Sequence, residues 1–213
     1  MARPKIHDKG LRDALLEGAA RTVAGGGVDG LVMRRLAAEH GTSTSAIYAL
    51  FGGKQELLDA VIQSGAQSQS DAICAVVETD DPGADLRNYM VVYSEWAMAH
   101  PDLYAAMFGG RFSVEGRETH VQGLISPGLQ KQIGTLSRLA ESGRLVGRDP
   151  HVVATSIWAA IHGFIELDRK LFRYLQTEAE RQVLFAAHVD AVHRAWVLPA
   201  GDPAGREPGP SAS

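Results

Sequence analysis

The chain has 213 residues, of which 45% are hydrophobic and 22% are charged, and its formal net charge is −4. This composition excludes collagen-like and disordered chains, and the single cysteine, Cys74, excludes a disulfide framework. No run of about 18 apolar residues is present to cross a membrane, so we expect a cytoplasmic protein without a membrane partner.

Helical periodicity dominates the sequence, and no stretch alternates apolar and polar residues as a half-buried strand would, so we predict an all-α fold. In the first third, glycines separate four predicted helices, over residues 9–24, 33–40, 44–50 and from 54 past 70. Five more helices are predicted over residues 84–100, 102–108, 127–142, 150–175 and 178–196.

Four helix starts carry a capping signal, and Ser43 is the expected N-cap of the helix over residues 44–50. Asp81 and Asp149 are each followed by proline, and Thr177 with Glu180 forms a capping box. Two stretches lack such order: we expect residues 109–125 to be irregular and the tail, 199–213, to be disordered.

The acidic residues are concentrated outside the first 60 positions. Residues 1–60 hold eight Lys and Arg against seven Asp and Glu, a balance of +1, which leaves −5 for the remainder. This asymmetry favours two regions with different tasks. The first region is compatible with nucleic-acid binding through a few positioned cations rather than through bulk attraction.

The second and third predicted helices form a helix-turn-helix pattern. Gly41 supplies the turn between them. Apolar residues at facing positions give the two helices a common interface: Met33, Leu36, Ala37, Ile47, Leu50 and Phe51. The second helix of such a pair projects outward and fits the major groove of DNA.

Side chains on and around this projecting helix are suited to DNA. The outward positions of this helix are Thr44, Ser45, Tyr48 and Ala49. Their hydroxyls can donate to or accept from base edges, and the methyl of Thr44 or Ala46 can meet a thymine methyl. The expected DNA-contacting set, including phosphate contacts and the N-cap residue, is Arg34, Arg35, Thr42, Ser43, Thr44, Ser45, Tyr48 and Lys54.

Two further groups of basic residues also favour DNA binding. Lys54 stands at a helix N-terminus, where a cation opposes the helix dipole, and an approaching phosphate would explain its position. Arg3, Lys5 and His7 are expected to form a mobile basic arm that reaches an adjacent groove.

Residues 11–62 resemble the N-terminal domain of the tetracycline-repressor (TetR) family of bacterial transcription regulators. The matching segments are Met33-Arg34-Arg35-Leu36-Ala37, Gly41-Thr42-Ser43, Ala46-Ile47-Tyr48, Phe51, Lys54 and Glu56-Leu57-Leu58. The chain departs from the family pattern at Val32, where Ser or Thr usually caps the helix, and at Thr42 and Leu50.

A second segment, residues 157–164, resembles the Trp-x-x-x-His-Gly signature of one class of C-terminal domain in the same family. That resemblance implies a helical domain for effector binding and dimerisation. We therefore expect a helix-turn-helix domain over residues 1–65, a larger helical domain over 66–198 and the tail beyond it.

Aromatic and sulfur side chains of the second domain would suit a flat hydrophobic or aromatic effector, although any one of them can equally be ordinary core. The candidate ligand-binding set is Tyr89, Tyr93, Trp96, Met107, Phe108, Phe112, Trp158 and His162. The last two predicted helices carry apolar residues over broad arcs, such as Val153, Ile157, Ile161 and Ile165, which suggests a homodimer interface.

The function predicted from the sequence is a ligand-responsive, DNA-binding regulator, most simply a repressor of a palindromic operator, with no cofactor and no metal. One alternative is a helical enzyme or ligand carrier that uses His162 and Glu166, which are four residues apart on one predicted helix. A DNA-bound activator without an effector is the other.

Overall fold

The computed structural model describes residues 5–109, 126–147 and 149–200, and for residues 5–8 the backbone only. The expected irregular segment beyond Gly109, the expected tail beyond Ala200 and the candidate residue Phe112 lie outside this part of the chain.

The described residues form an all-α fold, as the sequence predicts. The helices are α1 (Lys5–Gly26), α2 (Met33–Glu39), α3 (Thr44–Phe51), α4 (Lys54–Cys74), α5 (Pro82–Ala99), α6 (Pro101–Phe108), α7 (Pro127–Glu141), α8 (Pro150–Leu167) and α9 (Glu178–Trp196). A short 3₁₀ turn, Val28–Gly30, precedes α2. After α8 the chain continues through a π-helical turn, Asp168–Phe172, and one last α turn, Arg173–Leu175.

The predicted caps are confirmed. The Ser43 hydroxyl accepts a hydrogen bond from the Ala46 amide at 3.1 Å, which begins α3. Asp81 accepts from the Gly83 amide at 2.9 Å, and Asp149 accepts from the His151 amide at 2.8 Å. Each side-chain oxygen satisfies an amide that has no partner inside its own helix.

The first helix begins earlier than the sequence analysis predicts. The backbone is already helical at Lys5, so Lys5 and His7 lie in the first turns of α1 and not in an arm ahead of it. Arg3 lies outside the described residues.

The chain divides into two compact units. The first comprises Met1–Ser70 with Ala97–Ser126, and the second comprises Asp71–Trp96 with Pro127–Ser213. Helix α6 falls within the predicted second domain, residues 66–198, and its contacts group it with the first unit. There it lies along α1, with Ala106 fully buried and Leu103 partly buried against the same core.

Each unit has its own hydrophobic core. In the first, Leu15, Ile47 and Leu57 from three different helices are completely buried. In the second, α8 packs against α7 and α9 through a row of buried residues four apart: Val153, Ile157, Ile161 and Ile165. Burial of such side chains contributes about 1.5–3 kcal/mol each, which holds the helices together.

Among the residues with a described position, no helix combines the length and the apolar character that a membrane crossing requires.

Candidate nucleic-acid interface

The turn between α2 and α3 is built by local geometry. Gly41 adopts a φ of +62°, which residues with a Cβ rarely reach. The Thr42 amide then donates to the Ala37 carbonyl at 2.9 Å, and this bond closes α2. Ser43 caps α3 immediately afterwards, so the turn between the two helices is short and fixed.

Packing against the core sets the direction in which α3 projects. Leu36, Ala37 and Ile47 are buried, with at most 3% of their surface exposed. The other predicted facing residues, Met33, Leu50 and Phe51, pack partly buried against the same cluster. The predicted helix-turn-helix interface is therefore confirmed.

A contact between α1 and the end of α2 contributes to this geometry, and the sequence analysis does not identify it. The His40 ring lies so close to Gly18 that a Cβ on Gly18 would stand 2.2 Å from His40 Nε2. Gly18 is the residue of α1 that makes room for this ring. In the sequence, the one indication of this contact is that Gly18 lies on the apolar face of the first predicted helix, where a missing side chain leaves room for a neighbour.

The exposed surface of α3 carries Ser45, Tyr48 and Ala49, which we call the α3 outer face. Tyr48 has 51% of its surface exposed although it is large and aromatic. Thr44 and Thr42 beside this face are half-buried, and Ser43 is exposed with its hydroxyl engaged in the cap. An exposed strip on a short rigid helix is what insertion into a groove requires.

The candidate cations differ in their surroundings. Arg35 is already engaged, since Nη2 donates to the Gly30 carbonyl at 2.9 Å and Nε lies 3.6 Å from Glu39 Oε1. Arg34 is exposed and Lys54 half-buried, and no described residue bonds or pairs with either side chain. Arg34 and Lys54 are thus the candidate phosphate ligands that the protein itself leaves available.

A neighbouring carboxylate compensates for the unfavourable position of Lys54 at the helix N-terminus. Glu56 turns back toward the same helix end, where a Cβ at Gly53 would lie 2.5 Å from Glu56 Oε2. This carboxylate supplies the negative charge that favours a helix N-terminus, so the position of Lys54 does not by itself require a phosphate there.

In the second unit, three of the eight candidate ligand residues form a continuous row of contacts. The Trp158 indole donates to the Tyr93 hydroxyl at 3.2 Å, and the Trp158 and His162 rings are 5.2 Å apart. Trp158 retains 44% exposure, whereas Tyr93 is buried. Desolvation lowers the pKa of His162 below its ordinary value, although Glu166 opposes this effect.

Three other candidate ligand-binding residues lie outside this row of contacts. Met107 and Phe108 belong to the first unit, where Met107 packs against Gly65 and the Phe108 ring is 5.0 Å from Tyr104. Trp96 is buried in α5.

Tyr89 belongs to a polar cluster that the sequence analysis does not predict. Its hydroxyl donates to Glu78 at 2.8 Å, and Thr135 donates to the same carboxylate oxygen at 2.8 Å. These two bonds, that of Thr135 first, lower the pKa of Glu78, while burial raises the pKa of Tyr89.

The same cluster fixes the connector between α4 and α5, residues 75–81. Arg138 donates to the Thr79 carbonyl at 2.6 Å and pairs with the buried Asp85 at 3.2 Å. Asp85 in turn accepts from the Thr79 amide at 2.9 Å. Lys131 donates to the Cys74 carbonyl at 2.9 Å and also to the Val76 carbonyl. A connector without regular structure is therefore attached to α7 by side chains.

The alternative catalytic pair, His162 and Glu166, is occupied by structural contacts. The His162 ring lies against Trp158, and the Glu166 carboxylate pairs with Lys170. Within the described ranges, no group of three or more His, Cys, Asp or Glu side chains is placed to hold a metal ion.

Some apolar residues of the last two helices are buried and others are exposed. Val153, Ile157, Ile161 and Ile165, which the sequence analysis associates with a dimer interface, are core residues of the second unit. Besides Trp158, other large apolar side chains of α8, α9 and the turns between them remain exposed, and together we call them the α8–α9 apolar surface: Val152, Leu167, Leu171, Tyr174, Leu175, Val183 and Leu184.

Known structures share this architecture. A protein of unknown function from Rhodococcus sp. RHA1 is 26% identical, with a TM-score of 0.71 over 88% of this chain and 96% of its own. The TetR family regulator PfmR from Thermus thermophilus is 22% identical, with a TM-score of 0.68 over 84% of this chain and 97% of its own. SmeT in complex with triclosan is 19% identical, with a TM-score of 0.66 over 96% of this chain and 98% of its own. At such identities, the last two similarities concern the fold alone.

Two family models match the sequence, whereas no curated protein does. Residues 15–61 match the model for bacterial regulatory proteins of the tetR family, and residues 86–192 match that for the tetracyclin repressor-like C-terminal domain. The first match contains α2 and α3 entirely, and the second contains most of the described residues of the second unit. The chain therefore belongs to the TetR family of transcription regulators.

Proposed function

We propose that this regulator is a homodimeric repressor that binds a palindromic operator and is released from it by a small hydrophobic or aromatic ligand. The observation that carries the proposal is the exposed α3 outer face, held by a buried helix-turn-helix core. Ser45 and Tyr48 would enter the major groove with Thr44, while Arg34 and Lys54 would hold phosphates.

DNA binding is tested with labelled duplexes from the region upstream of the gene. We expect preference over random DNA of equal length, loss of that preference in Tyr48→Ala, and affinity that falls steeply with salt. Thr155→Ala, a change on an exposed turn of α8, is the matched control for folding and handling. Equal affinity of the wild-type protein for upstream and random duplexes would contradict the proposal.

Dimerisation is supported by the α8–α9 apolar surface. Tyr174 and Val183 have 74% and 69% of their surfaces exposed, and burial against a second copy would remove this apolar area from water. We expect the double variant Tyr174→Glu/Val183→Glu to be monomeric by light scattering, because each buried carboxylate would lack a partner. Gln130→Glu adds one charge to an exposed site on α7 and should leave the dimer intact. A monomeric wild-type protein would contradict this part of the proposal.

An effector site in the second unit is supported by the row formed by Tyr93, Trp158 and His162, which combines flat apolar rings with polar atoms. The solved complex of SmeT with triclosan is a structural neighbour that holds an aromatic compound. A ligand that favours one of two conformations would lower DNA affinity by population shift.

The effector is sought by thermal shift with a panel of hydrophobic aromatic compounds that includes triclosan. A true effector should raise the melting temperature and weaken operator binding at the same concentrations. Trp158→Phe should reduce both effects, whereas Trp196→Phe, at a half-buried tryptophan of α9, should retain them. Compounds that bind without changing operator affinity would count against the proposed release.

The direction of control is tested in cells with a reporter under the upstream promoter. Deletion of a repressor raises reporter output, and deletion of an activator lowers it. We expect the output to rise.

A further inference from the structure

The recognition segment lacks the side chains that proteins use most often to distinguish bases. From Gly41 to Gly53 the chain contains no charged and no amide side chain. The α3 outer face offers the Ser45 hydroxyl, the Tyr48 phenol and the Ala49 methyl, and the half-buried Thr44 adds a methyl and a hydroxyl.

This composition limits what the helix can read. In the major groove, guanine is recognised chiefly by Arg or Lys, adenine by Asn or Gln, and cytosine by Asp or Glu. Hydroxyls bond to several bases and discriminate weakly between them. The thymine C5-methyl is the one feature of the major groove that an apolar side chain recognises.

Two arginines in the described part of the chain are not available to supply the missing base contacts. The Arg35 guanidinium is bonded to the Gly30 carbonyl and faces Glu39. The Arg12 guanidinium lies over the Phe51 ring, 5.3 Å from its centroid. Arg35 and Arg12 are thus engaged within the protein, and Arg34 and Lys54 lie on the flanking helices α2 and α4.

We propose that this regulator selects its operator mainly through thymine methyl groups, which contact Ala49 and the methyl of Thr44 in each half-site. The proposal rests on the proposed DNA-binding function and specifies its target: half-sites with thymines at fixed major-groove positions.

The test begins with selection of bound duplexes from a random pool by the full-length protein. The selected duplex is then synthesised with deoxyuridine in place of thymidine, one position at a time, which removes the methyl and leaves base pairing unchanged. Loss of one contacted methyl should weaken binding roughly fourfold, and loss of the same methyl in both half-sites roughly 15-fold. Deoxyuridine outside the half-sites is the control and should leave affinity unchanged.

A double-mutant cycle assigns the contact to a residue. Ala49→Gly and Thr44→Ser each remove one methyl, and each should abolish the difference between thymidine and deoxyuridine at one position. For each protein, the cycle compares the affinity for the thymidine duplex with the affinity for the deoxyuridine duplex. If glycine weakens the helix, both affinities fall by the same factor and their ratio is unchanged. Thr155→Ser removes a methyl from an exposed threonine of α8 and should retain the full difference.

The outcomes separate the two proposals. If no duplex is enriched from the pool, specific DNA binding itself fails. If a duplex is enriched and binds equally well with deoxyuridine throughout, or if its half-sites contain only G·C pairs, operator binding stands and the thymine-methyl proposal is overturned.

Discussion

Arg34 and Arg35 are adjacent in the sequence, but their guanidinium groups have different surroundings. Arg35 bonds to the Gly30 carbonyl, whereas Arg34 is exposed and has no described partner. We expect Arg34→Ala to lower the salt slope of operator binding by about 1.8, because a dimer loses two phosphate contacts at about 0.9 each. Arg35→Ala should change the slope less and instead lower the free energy of unfolding by about 1 kcal/mol.

Both effects are measurable by fluorescence anisotropy over about 50 to 200 mM salt and by urea unfolding. Arg194→Ala, at an exposed arginine of α9, controls for the loss of one positive charge. An unchanged slope in Arg34→Ala, or a larger change in Arg35→Ala, would refute this division of roles.

His162 gives the second unit a pH dependence with a definite sign. Its folded-state pKa lies below the ordinary value of 6.5, mainly because of desolvation, with Glu166 opposing and Lys170 assisting the shift. The neutral ring is therefore favoured by folding, and this contribution is complete above about pH 6.5 and lost as the pH falls toward the folded pKa.

We expect the stability difference between the wild-type protein and His162→Gln to shrink between about pH 7.5 and about pH 5.5 in urea unfolding. His151→Gln, at an exposed histidine of α8, is the matched control for removal of an imidazole. A difference for His162→Gln that is constant with pH would show that the ring titrates alike in both states.

At the scale of elements, α9 depends on a reciprocal cap. The Thr177 amide donates to Glu180 Oε2 at 2.8 Å, and the Glu180 amide donates to the Thr177 hydroxyl at 3.3 Å. Thr177→Ala leaves that second amide without its partner, so we expect a loss of about 1 kcal/mol in the free energy of unfolding. Thr155→Ala in the middle of α8 is the control and should have no such cost. Equal stability of the two variants would contradict the assigned role of the cap.

Helix ends were predictable because their determinants are local. Ser43, Asp81, Asp149 and Thr177 each cap an amide two or three residues away, so a short window of sequence contains the whole interaction. The helix-turn-helix core was predictable for the same reason, since its facing apolar residues lie within twenty positions.

Contacts between residues far apart in the chain could not be predicted in this way, because no short window of sequence contains both partners. Thr135 and Arg138 reach the connector from positions 57 and 59 residues further along the chain. No residue near Glu78 in the sequence indicates these partners. The packing of α6 against α1 was hidden in the same way, because Ala106 is a small residue whose burial depends on α1, far away in sequence.

At the scale of the whole molecule, the proposed dimer fixes the spacing of its target. Two recognition helices related by two-fold symmetry read half-sites about 10 base pairs apart, on one face of the duplex. Insertion of about 5 base pairs between the half-sites rotates one of them by half a turn. We therefore expect at least a tenfold loss of affinity, and substantial recovery when a full turn is inserted, both measured by competition against the intact operator. Insensitivity to spacing would indicate that each protomer binds alone.

The attachment of the connector to α7 also has a consequence for hydrogen exchange. The Thr79 amide lies in a segment without regular structure, yet it donates to both oxygens of the fully buried Asp85. Its proton should exchange far more slowly than those of ordinary loop amides, because exchange requires opening of the cluster. Mass spectrometry of a peptide that contains Thr79 would measure that opening directly, and Arg138→Leu should accelerate it. The exchange rate of this one amide thus reports how often the start of the second unit detaches from α7.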